Sequence, residues 1–280
     1  MSNLALDRLN PLFNNFALTA RVFFTGASCL AAVFDGKGSV GHLHLLRSGC
    51  ISVKNRGVDS FYVDQPSVLF YPRSCPHALL PDEGTEINLV CATIEFGDRV
   101  GSPLSLALPE MVILPLDSIK TLAPSLELLF SEAFTDQLGR QVALDRLAVY
   151  FVIQLIRHII SSGMMQTGML AALADTRLAK TVYAMHARSE HAWSVEELAE
   201  EAGMSRARFA VHFRDTVGCT PLDYLTGLRI CLAQTLMKQG KPIKTVASLV
   251  GYRSPAALSR VFSKRVGISP SEWLGSENPV

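Results

Sequence analysis

Hydrophobic positions repeat with one period in the first hundred residues of this chain and with another beyond them. From about residue 17 to 96, short runs rich in Val, Ile, Leu and Phe ("ARVFFTG", "CLAAVF", "GHLHLLRSG", "CISVKNRG", "SVLFYP" and "EINLVCATIEF") are separated by Gly, Pro, Asn or Asp. Many short strands with turn signals between them predict a small antiparallel barrel over about residues 17–100. Between Asp117 and Ser161 the spacing turns helical, and "VALDRLAVYFVIQLIRHII" places Leu144, Leu147, Phe151, Leu155 and Ile159 on one stripe with further apolar residues beside it. That stripe is wider than one face. The helices of about 117–161 are therefore expected to be buried within their own domain or to pair in addition with their copy in a second subunit. "SSGMMQTGM" is small, polar and flexible and reads as a linker, and beyond Asp175 every stretch reads as helix with Gly or Pro at the breaks. The expectation is an α+β chain, with a barrel-plus-helix domain over 1–170 and an all-α domain over 176–280. At 280 residues the chain has enough apolar material for a core in each.

The all-α part repeats itself. "FRDTVGCTP" (213–221) and "FSKRVGISP" (262–270) share F-x-x-x-V-G-x-[TS]-P, and the likeness extends upstream. Val195, Leu198, Ala199 and Gly203 match Ile243, Val246, Ala247 and Gly251 at an offset of 48. Ser205, Phe209, Phe213, Val217, Gly218 and Pro221 match Ser254, Leu258, Phe262, Val266, Gly267 and Pro270 at an offset of 49. The change of one residue falls in a turn, where insertions are tolerated. Each unit, about 194–216 and 242–265, reads as a short helix, a Gly-containing turn, a Ser N-cap and a second helix stopped at glycine. This is a helix-turn-helix, in which Ala199 or Ala247 lets the two helices cross closely. Between the units "PLDYLTGLRICLAQTLMKQG" has the length of one helix of about 18 residues, roughly 27 Å. That spacer suits two recognition helices set about one DNA turn, roughly 34 Å, apart.

Charge sharpens this reading. Residues 1–175 carry 12 Lys+Arg against 16 Asp+Glu, and residues 176–280 carry 14 against 9, so the excess of positive charge lies with the repeat. It concentrates further between Lys241 and Gly267, which hold Lys241, Lys244, Arg253, Arg260, Lys264 and Arg265 and no acidic residue. Such a stretch suits phosphate contacts. The first unit carries Glu196, Glu197, Glu200 and Glu201 on its leading helix and Arg206, Arg208 and Arg214 on its second, so only the second helix is expected to face DNA. "MSNLALDRLNPLF" has neither the basic nor the long apolar region of a secretion signal. The most apolar stretch is interrupted by Gln154, Arg157 and His158 and is too short for a bilayer. A cytoplasmic protein with no membrane partner is expected. The six cysteines, Cys29, Cys50, Cys75, Cys91, Cys219 and Cys231, form no C-x-x-C pair and no zinc-finger spacing.

With Leu198-Ala199, Gly203, Ser205, the Phe213…Gly218…Pro221 run, "LRICLAQTLM" and "VASLVGYRSPAALSRVFSKRVGISPSEW" in view, residues 176–275 resemble the DNA-binding domain of AraC/XylS-family transcriptional regulators. The resemblance implies a regulator that binds double-stranded promoter DNA and recruits RNA polymerase. It implies base contacts from the early solvent-facing positions of each second helix: Arg206, Ala207, Ala210 and Val211, and Pro255, Ala256, Ala257 and Arg260. Arg208 is expected at a phosphate or in packing, and Arg253 and Lys264 at phosphates. Several of these positions are apolar, so readout is expected to use thymine methyls, Arg206 and Arg260, and DNA shape.

"GHLHLL" followed by "DQPSVLFYPRSCPH" resembles the cupin barrel that precedes this domain in many family members. His42 and His44 share one face of a strand, and His77 stands where the second cupin motif has its histidine. The carboxylate expected a few residues after His44 is absent from "LLRSG". These histidines are therefore read first as satisfied barrel residues or as contacts to a small-molecule effector, with no cofactor, and only second as ligands of a divalent metal. Cys91, Cys75 and Cys50 are candidates for an oxidant sensor, a role that needs thiolate character and access, and His77 is placed to lower the Cys75 pKa. A metal-dependent cupin enzyme is the reading from another class, opposed by the incomplete ligand set and the tandem DNA-binding units. The chain is thus expected to be a one-component, homodimeric regulator with no catalytic residue.

Overall fold

Among the described residues, nine strands of the computed structural model form two antiparallel sheets. The structure describes residues 18–277 apart from 29, 37–39, 56–59, 83–84, 98–102 and 166. The strands are β1 (Leu18–Ser28), β2 (Ala32–Phe34), β3 (Gly41–Ser48), β4 (Ile51–Asn55), β5 (Phe61–Val63), β6 (Ser67–Tyr71), β7 (His77–Pro81), β8 (Ile87–Phe96) and β9 (Val112–Pro115). One sheet runs β1-β8-β3-β6-β9 and the other β2-β7-β4-β5. Their inner faces share one core, in which Leu46, Leu69, Tyr71, Leu89 and Cys91 of the first sheet meet Ile51, Val53, Val63 and Leu79 of the second. Each such aliphatic side chain contributes about 1.5–3 kcal/mol when fully removed from water.

Three of these strands, β5, β7 and β9, lie outside the apolar runs that predict the barrel. The residues of β7 follow Pro76 and end on Pro81, so they read as a turn, yet they pair with both β2 and β4. Strand β3 departs from alternation in the opposite sense. Gly41 to Leu46 are all buried, so Leu43 and Leu45 are covered on one face while His42 and His44 are covered on the other.

The helices of this unit are α1 (Pro103–Ala107), α2 (Ala123–Ala133) and α3 (Arg140–Ser161), with a 3-10 stretch at Leu116–Leu122. Helix α3 buries Leu144, Ala148, Phe151, Val152, Leu155, Ile156 and Ile159 and lies along β1. A register shift between Val22 and Phe24 in β1 leaves Phe23 outside the ladder. The Val22 N–H there donates to Asp145 Oδ1 at 2.8 Å, and the Val22 carbonyl accepts from Gln141 Nε2 at 2.7 Å. Helix α3 thus satisfies the backbone that the bulge frees.

A second compact unit begins at Met165. Its helices are α4 (Met169–Ala174), α5 (Leu178–Ala187), α6 (Val195–Glu201), α7 (Arg206–Val217), α8 (Pro221–Lys238), α9 (Ile243–Leu249), α10 (Pro255–Val266) and α11 (Pro270–Glu277). Helix α4 starts within the stretch that reads as linker and packs on α7, with the Gly168 N–H donating to the Thr216 carbonyl at 2.8 Å. The pairs α6/α7 and α9/α10 are the two helix-turn-helix units, and α8 between them has the expected 18 residues. Phe209 and Phe213 in one unit and Leu258 and Phe262 in the other are fully buried, so the repeated letters are anchors. Gly218 and Gly267 stop α7 and α10 in the left-handed region, at φ 88° and 90°, which a side chain would resist. The N-caps differ from expectation in one place. Ser254 accepts from the Ala257 N–H, whereas Ser205 sits at the cap position with no side-chain cap bond. Among the described residues no helix is long and apolar enough to cross a membrane.

Candidate functional site

The sequence-predicted DNA residues lie on the outer faces of α7 and α10. Arg206, Ala207, Arg208 and Val211 are exposed and Ala210 is half-buried on α7. Val211 is 51% exposed, a large aliphatic side chain left in water on a helix whose other face is anchored by phenylalanines. On α10, Ala256, Arg260 and Lys264 are exposed at four-residue spacing and so share a face, with Arg253 exposed in the preceding turn. Ala257 and Pro255 are half-buried.

The two faces differ in what holds their charges. Arg206 Nε lies 2.8 Å from Glu196 Oε1, an exposed ion pair reaching back to α6. On α10 the Arg260 Nε donates weakly to the Ala256 carbonyl at 3.4 Å, within its own helix. Arg265 is exposed as well, and its guanidinium reaches over α8, where a Cβ on Gly227 would lie 2.9 Å from it.

A connection that sequence reasoning missed ties the start of this unit to the first recognition helix. His212 Nε2 on α7 lies 2.7 Å from Asp175 Oδ2, and Asp175 Oδ1 accepts the Arg177 and Leu178 N–H groups at the start of α5. Burial works against the Asp175 charge, but the Leu178 N–H, the His212 ring and the Arg177 N–H outweigh it and hold the carboxyl below its usual range. Beside this pair is a cavity of about 630 Å³ lined by Thr176, Arg177, Met204, Ala207, Arg208 and Val211 among others.

In the barrel, the three predicted histidines do come together. His42 and His44 lie opposite Tyr71 and Leu69 of β6, and His44 also lies opposite Cys91 of β8. His77 reaches them from the other sheet, with ring centroids 5.3 Å from His42 and 5.1 Å from His44. Tyr71 stacks on the His77 ring at 3.9 Å, and Phe34 stacks on it at 4.5 Å.

The hydrogen bonds fix the tautomers. A carbonyl only accepts, so at 2.8 Å from the Cys75 carbonyl the His77 Nδ1 carries its proton. The His77 Nε2 is then the acceptor for the His44 Nε2–H, 2.9 Å away. His44 Nδ1 is left to accept from the Cys91 S–H at 3.1 Å. A chain of three hydrogen bonds therefore runs from the Cys91 thiol to the Cys75 backbone, through two neutral rings. Burial disfavours the charged form of each: His42 falls from its ordinary value to about 4, His44 falls well below it, and His77 is lowered as well. His42 Nδ1 is buried with no partner. Among the described residues no three His, Cys, Asp or Glu side chains are arranged to hold a metal ion. The ring nitrogens of His44 and His77 bond to one another rather than to a shared centre.

The thiols depart from the sequence reading. His77 binds the carbonyl of Cys75, not its sulfur, and burial, with Glu110 adding, pushes the Cys75 thiol up against the opposing pull of Arg73. The expected lowering of the Cys75 pKa is overturned. Burial alone pushes Cys91 up to about 12. The Cys50 sulfur lies 4.0 Å from the Asp64 carbonyl, and Cys50, Cys75 and Cys91 are free thiols; Cys29 lies outside the described residues. Cys91 and Phe34 also line an apolar cavity of about 180 Å³ with Phe23, Phe24, Ala32, Leu79, Ile87 and Leu89. The only sequence signal for that cavity is the density of Phe on β1 and β2.

Comparison with known proteins bears on both units. The family described as Cupin matches residues 7–161, and that described as Helix-turn-helix domain matches residues 198–276. An uncharacterized HTH-type transcriptional regulator of Haemophilus influenzae is 27% identical over 87% of this chain and 92% of its own. The RCS-specific HTH-type transcriptional activator RclR of Escherichia coli is 28% identical over 85% of each. A putative AraC-like transcription regulator of Streptomyces lividans is 31% identical over 68% of this chain and 64% of its own.

Proposed function

We propose, from the premise that this chain belongs to the AraC/XylS family of transcriptional regulators, a cupin domain joined to a helix-turn-helix domain, that it reads promoter DNA with both recognition helices. The observation that carries this is the pair of outward faces on α7 and α10, each mounted on two fully buried anchors. Arg206, Ala207, Ala210 and Val211 read one half-site and Ala256, Ala257 and Arg260 the next. Arg208, Arg253 and Lys264 take phosphates, and the exposed aliphatic groups favour thymine methyls. The protein is a regulator and not an enzyme.

The barrel is the sensor, and we assign its signal to a small molecule entering beside Phe34 and Cys91. His42, whose Nδ1 has no partner and whose ring lies 4.6 Å from that of Phe34 in the cavity wall, is its polar contact. His44 and His77 are already bonded to each other and hold the wall of the site. An oxidant as signal is less well supported, because burial keeps the Cys91 thiol protonated. Helix α3 leaves Val142 and Tyr150 exposed and Leu147 half-buried, which supports pairing with a second copy. Recruitment of RNA polymerase in the cytoplasm completes the proposed role.

The test is binding of the full-length protein to fragments of its own genome across a salt series. Retention of one or a few fragments, with affinity falling linearly in log salt, is expected. Equal retention of all fragments removes sequence-specific reading.

A further inference from the structure

The two recognition helices are joined covalently by α8, whose Ile230, Ala233 and Met237 also share the buried core of the second unit. The structure adds a second connection. The Arg229 Nε, on α8, donates to the Ser189 carbonyl at 2.7 Å, and one of its terminal nitrogens donates to the His191 carbonyl at 2.6 Å. Both carbonyls belong to the loop that leads into the first unit. The same guanidinium lies 5.7 Å from the centre of the Tyr252 ring, which belongs to the turn of the second unit.

Neither partner is loose. On the loop, the His191 N–H donates to the Arg188 carbonyl at 3.1 Å, the Trp193 N–H donates to the His191 carbonyl at 2.8 Å, and the buried Trp193 indole donates to the Arg188 carbonyl at 3.0 Å. On the turn, the Tyr252 N–H donates to the Ala247 carbonyl at 2.8 Å, and its ring packs against the core of the second unit. Loop and turn also meet directly. Gly251 has φ +80°, and a Cβ there would lie 2.4 Å from the Glu190 carbonyl oxygen and 2.9 Å from the Arg229 guanidinium. Only a residue without a side chain lets the two backbones approach this closely.

We infer that Arg229 and Gly251 are positioning residues that close a ring between the two helix-turn-helix units and thereby fix the spacing and phase of the two DNA half-sites the protein accepts. The guanidinium is suited to this because its fork spans two carbonyls while its carbon lies 5.7 Å from the centre of an aromatic ring, a combination an ammonium group cannot reproduce. Connected at two places, α7 and α10 keep one relative orientation, and DNA must match it.

This inference rests on the reading that both recognition helices enter the duplex, and its test separates the two. The full-length wild-type chain first selects duplexes from a pool randomised over about 30 base pairs, room for two half-sites one turn apart. One base pair is then inserted between the half-sites, turning the second by about 35° and moving it about 3.4 Å. The wild-type chain is expected to lose about tenfold or more in affinity, because the contacts of one half-site are forfeited. Arg229→Gln and Gly251→Ala are expected to narrow that loss to about threefold, by letting the second unit follow its displaced half-site. A merely structural role lowers affinity for both duplexes by one factor and leaves their ratio unmoved. An unchanged ratio in folded Arg229→Gln therefore overturns the inference. Should that variant not fold, Arg229→Lys, which keeps the charge but not the fork, is judged by the same ratio. Selected duplexes protected over a single half-site overturn the two-groove reading itself, and the inference with it.

Discussion

The two units keep their polar chemistry in opposite places. The barrel buries His42, His44 and His77 as neutral rings among Phe34, Tyr71 and Cys91, whereas the helical unit holds Arg206, Arg208, Arg253, Arg260 and Lys264 in water. The difference fits the proposed roles of the two units. A polyanion is recognised by charges that stay hydrated until counterions leave, so the cost of presenting them is small. A small molecule is recognised in a space already emptied of water, so the groups that meet it are desolvated in advance and lose their charge for it. The fold reflects this division, with strands that cover both faces of β3 in one unit and recognition helices α7 and α10 that bury one face only in the other.

The largest expected effect tests whether the units are separable. Phe262→Ala opens a void beneath α10 and is expected to cost about 3–5 kcal/mol. Both tryptophans, Trp193 and Trp273, lie in the helical unit, so tryptophan fluorescence follows that unit alone during urea unfolding while circular dichroism follows both. The fluorescence midpoint should fall and a barrel transition should remain. A single transition that moves as one breaks the comparison.

Acid should then act more strongly on the barrel. The unfolded chain takes up protons on these histidines below pH 6.5, and the folded barrel refuses them until about pH 4 at His42. Stability present above pH 6.5 is therefore lost as the pH falls from 6.5 toward 4, at up to about 1.4 kcal/mol per pH unit for each histidine. The helical unit has one histidine of this kind, His186, which burial lowers to about 3. Thermal melts between pH 7.5 and 5 should show the barrel transition falling more steeply than the tryptophan signal. Parallel slopes count against the neutral histidine chain.

The helical unit was the more legible of the two because its sequence states each constraint twice. Phe213 and Phe262, Gly218 and Gly267, and Ala199 and Ala247 identify one another by register, so anchors, stops and crossing points could be separated from the reading face without a structure. What stayed hidden were contacts between segments that no period links: Arg229 with the Ser189 and His191 carbonyls, and His212 with Asp175. In the barrel, β3 with its two histidines was visible as alternation and the placement of His77 followed from the cupin resemblance, but the strand that carries His77 was masked by its flanking prolines. The pKa of Cys75 runs opposite to expectation for a related reason. A histidine two residues away in sequence bonds the backbone of Cys75, while the ring nearest a cysteine sulfur comes from another strand.

Substitutions on α10 separate reading from mere attraction. Arg260→Ala is expected to weaken specific binding by about 1–3 kcal/mol and to relax preference at one base position, whereas Lys264→Ala should weaken all duplexes alike and lower the salt slope by about 1. Fluorescence anisotropy on the selected duplex and on single-base variants distinguishes the two patterns.

The smallest effect bears on why the two halves of the repeat differ. Glu196 and Lys244 occupy matching positions at the 48-residue offset, so the leading helix of the first unit presents a carboxylate where that of the second presents an ammonium. In the free protein that carboxylate holds Arg206 at 2.8 Å, and both side chains are more than half exposed, which limits the stability it provides to about 1 kcal/mol or less. Its consequence for DNA is larger than its consequence for folding, because Arg206 must leave Glu196 to reach a base and Glu196 then faces the phosphates unpaired. Glu196→Gln should thus leave the melting temperature nearly unchanged while raising affinity a few-fold at low salt. Glu196→Lys, which copies the second unit, should also steepen the salt slope by about 1. If neither variant binds more tightly than the wild type, the first unit does not bring its leading helix near the backbone, and the asymmetry of the repeat has another cause than restrained Arg206.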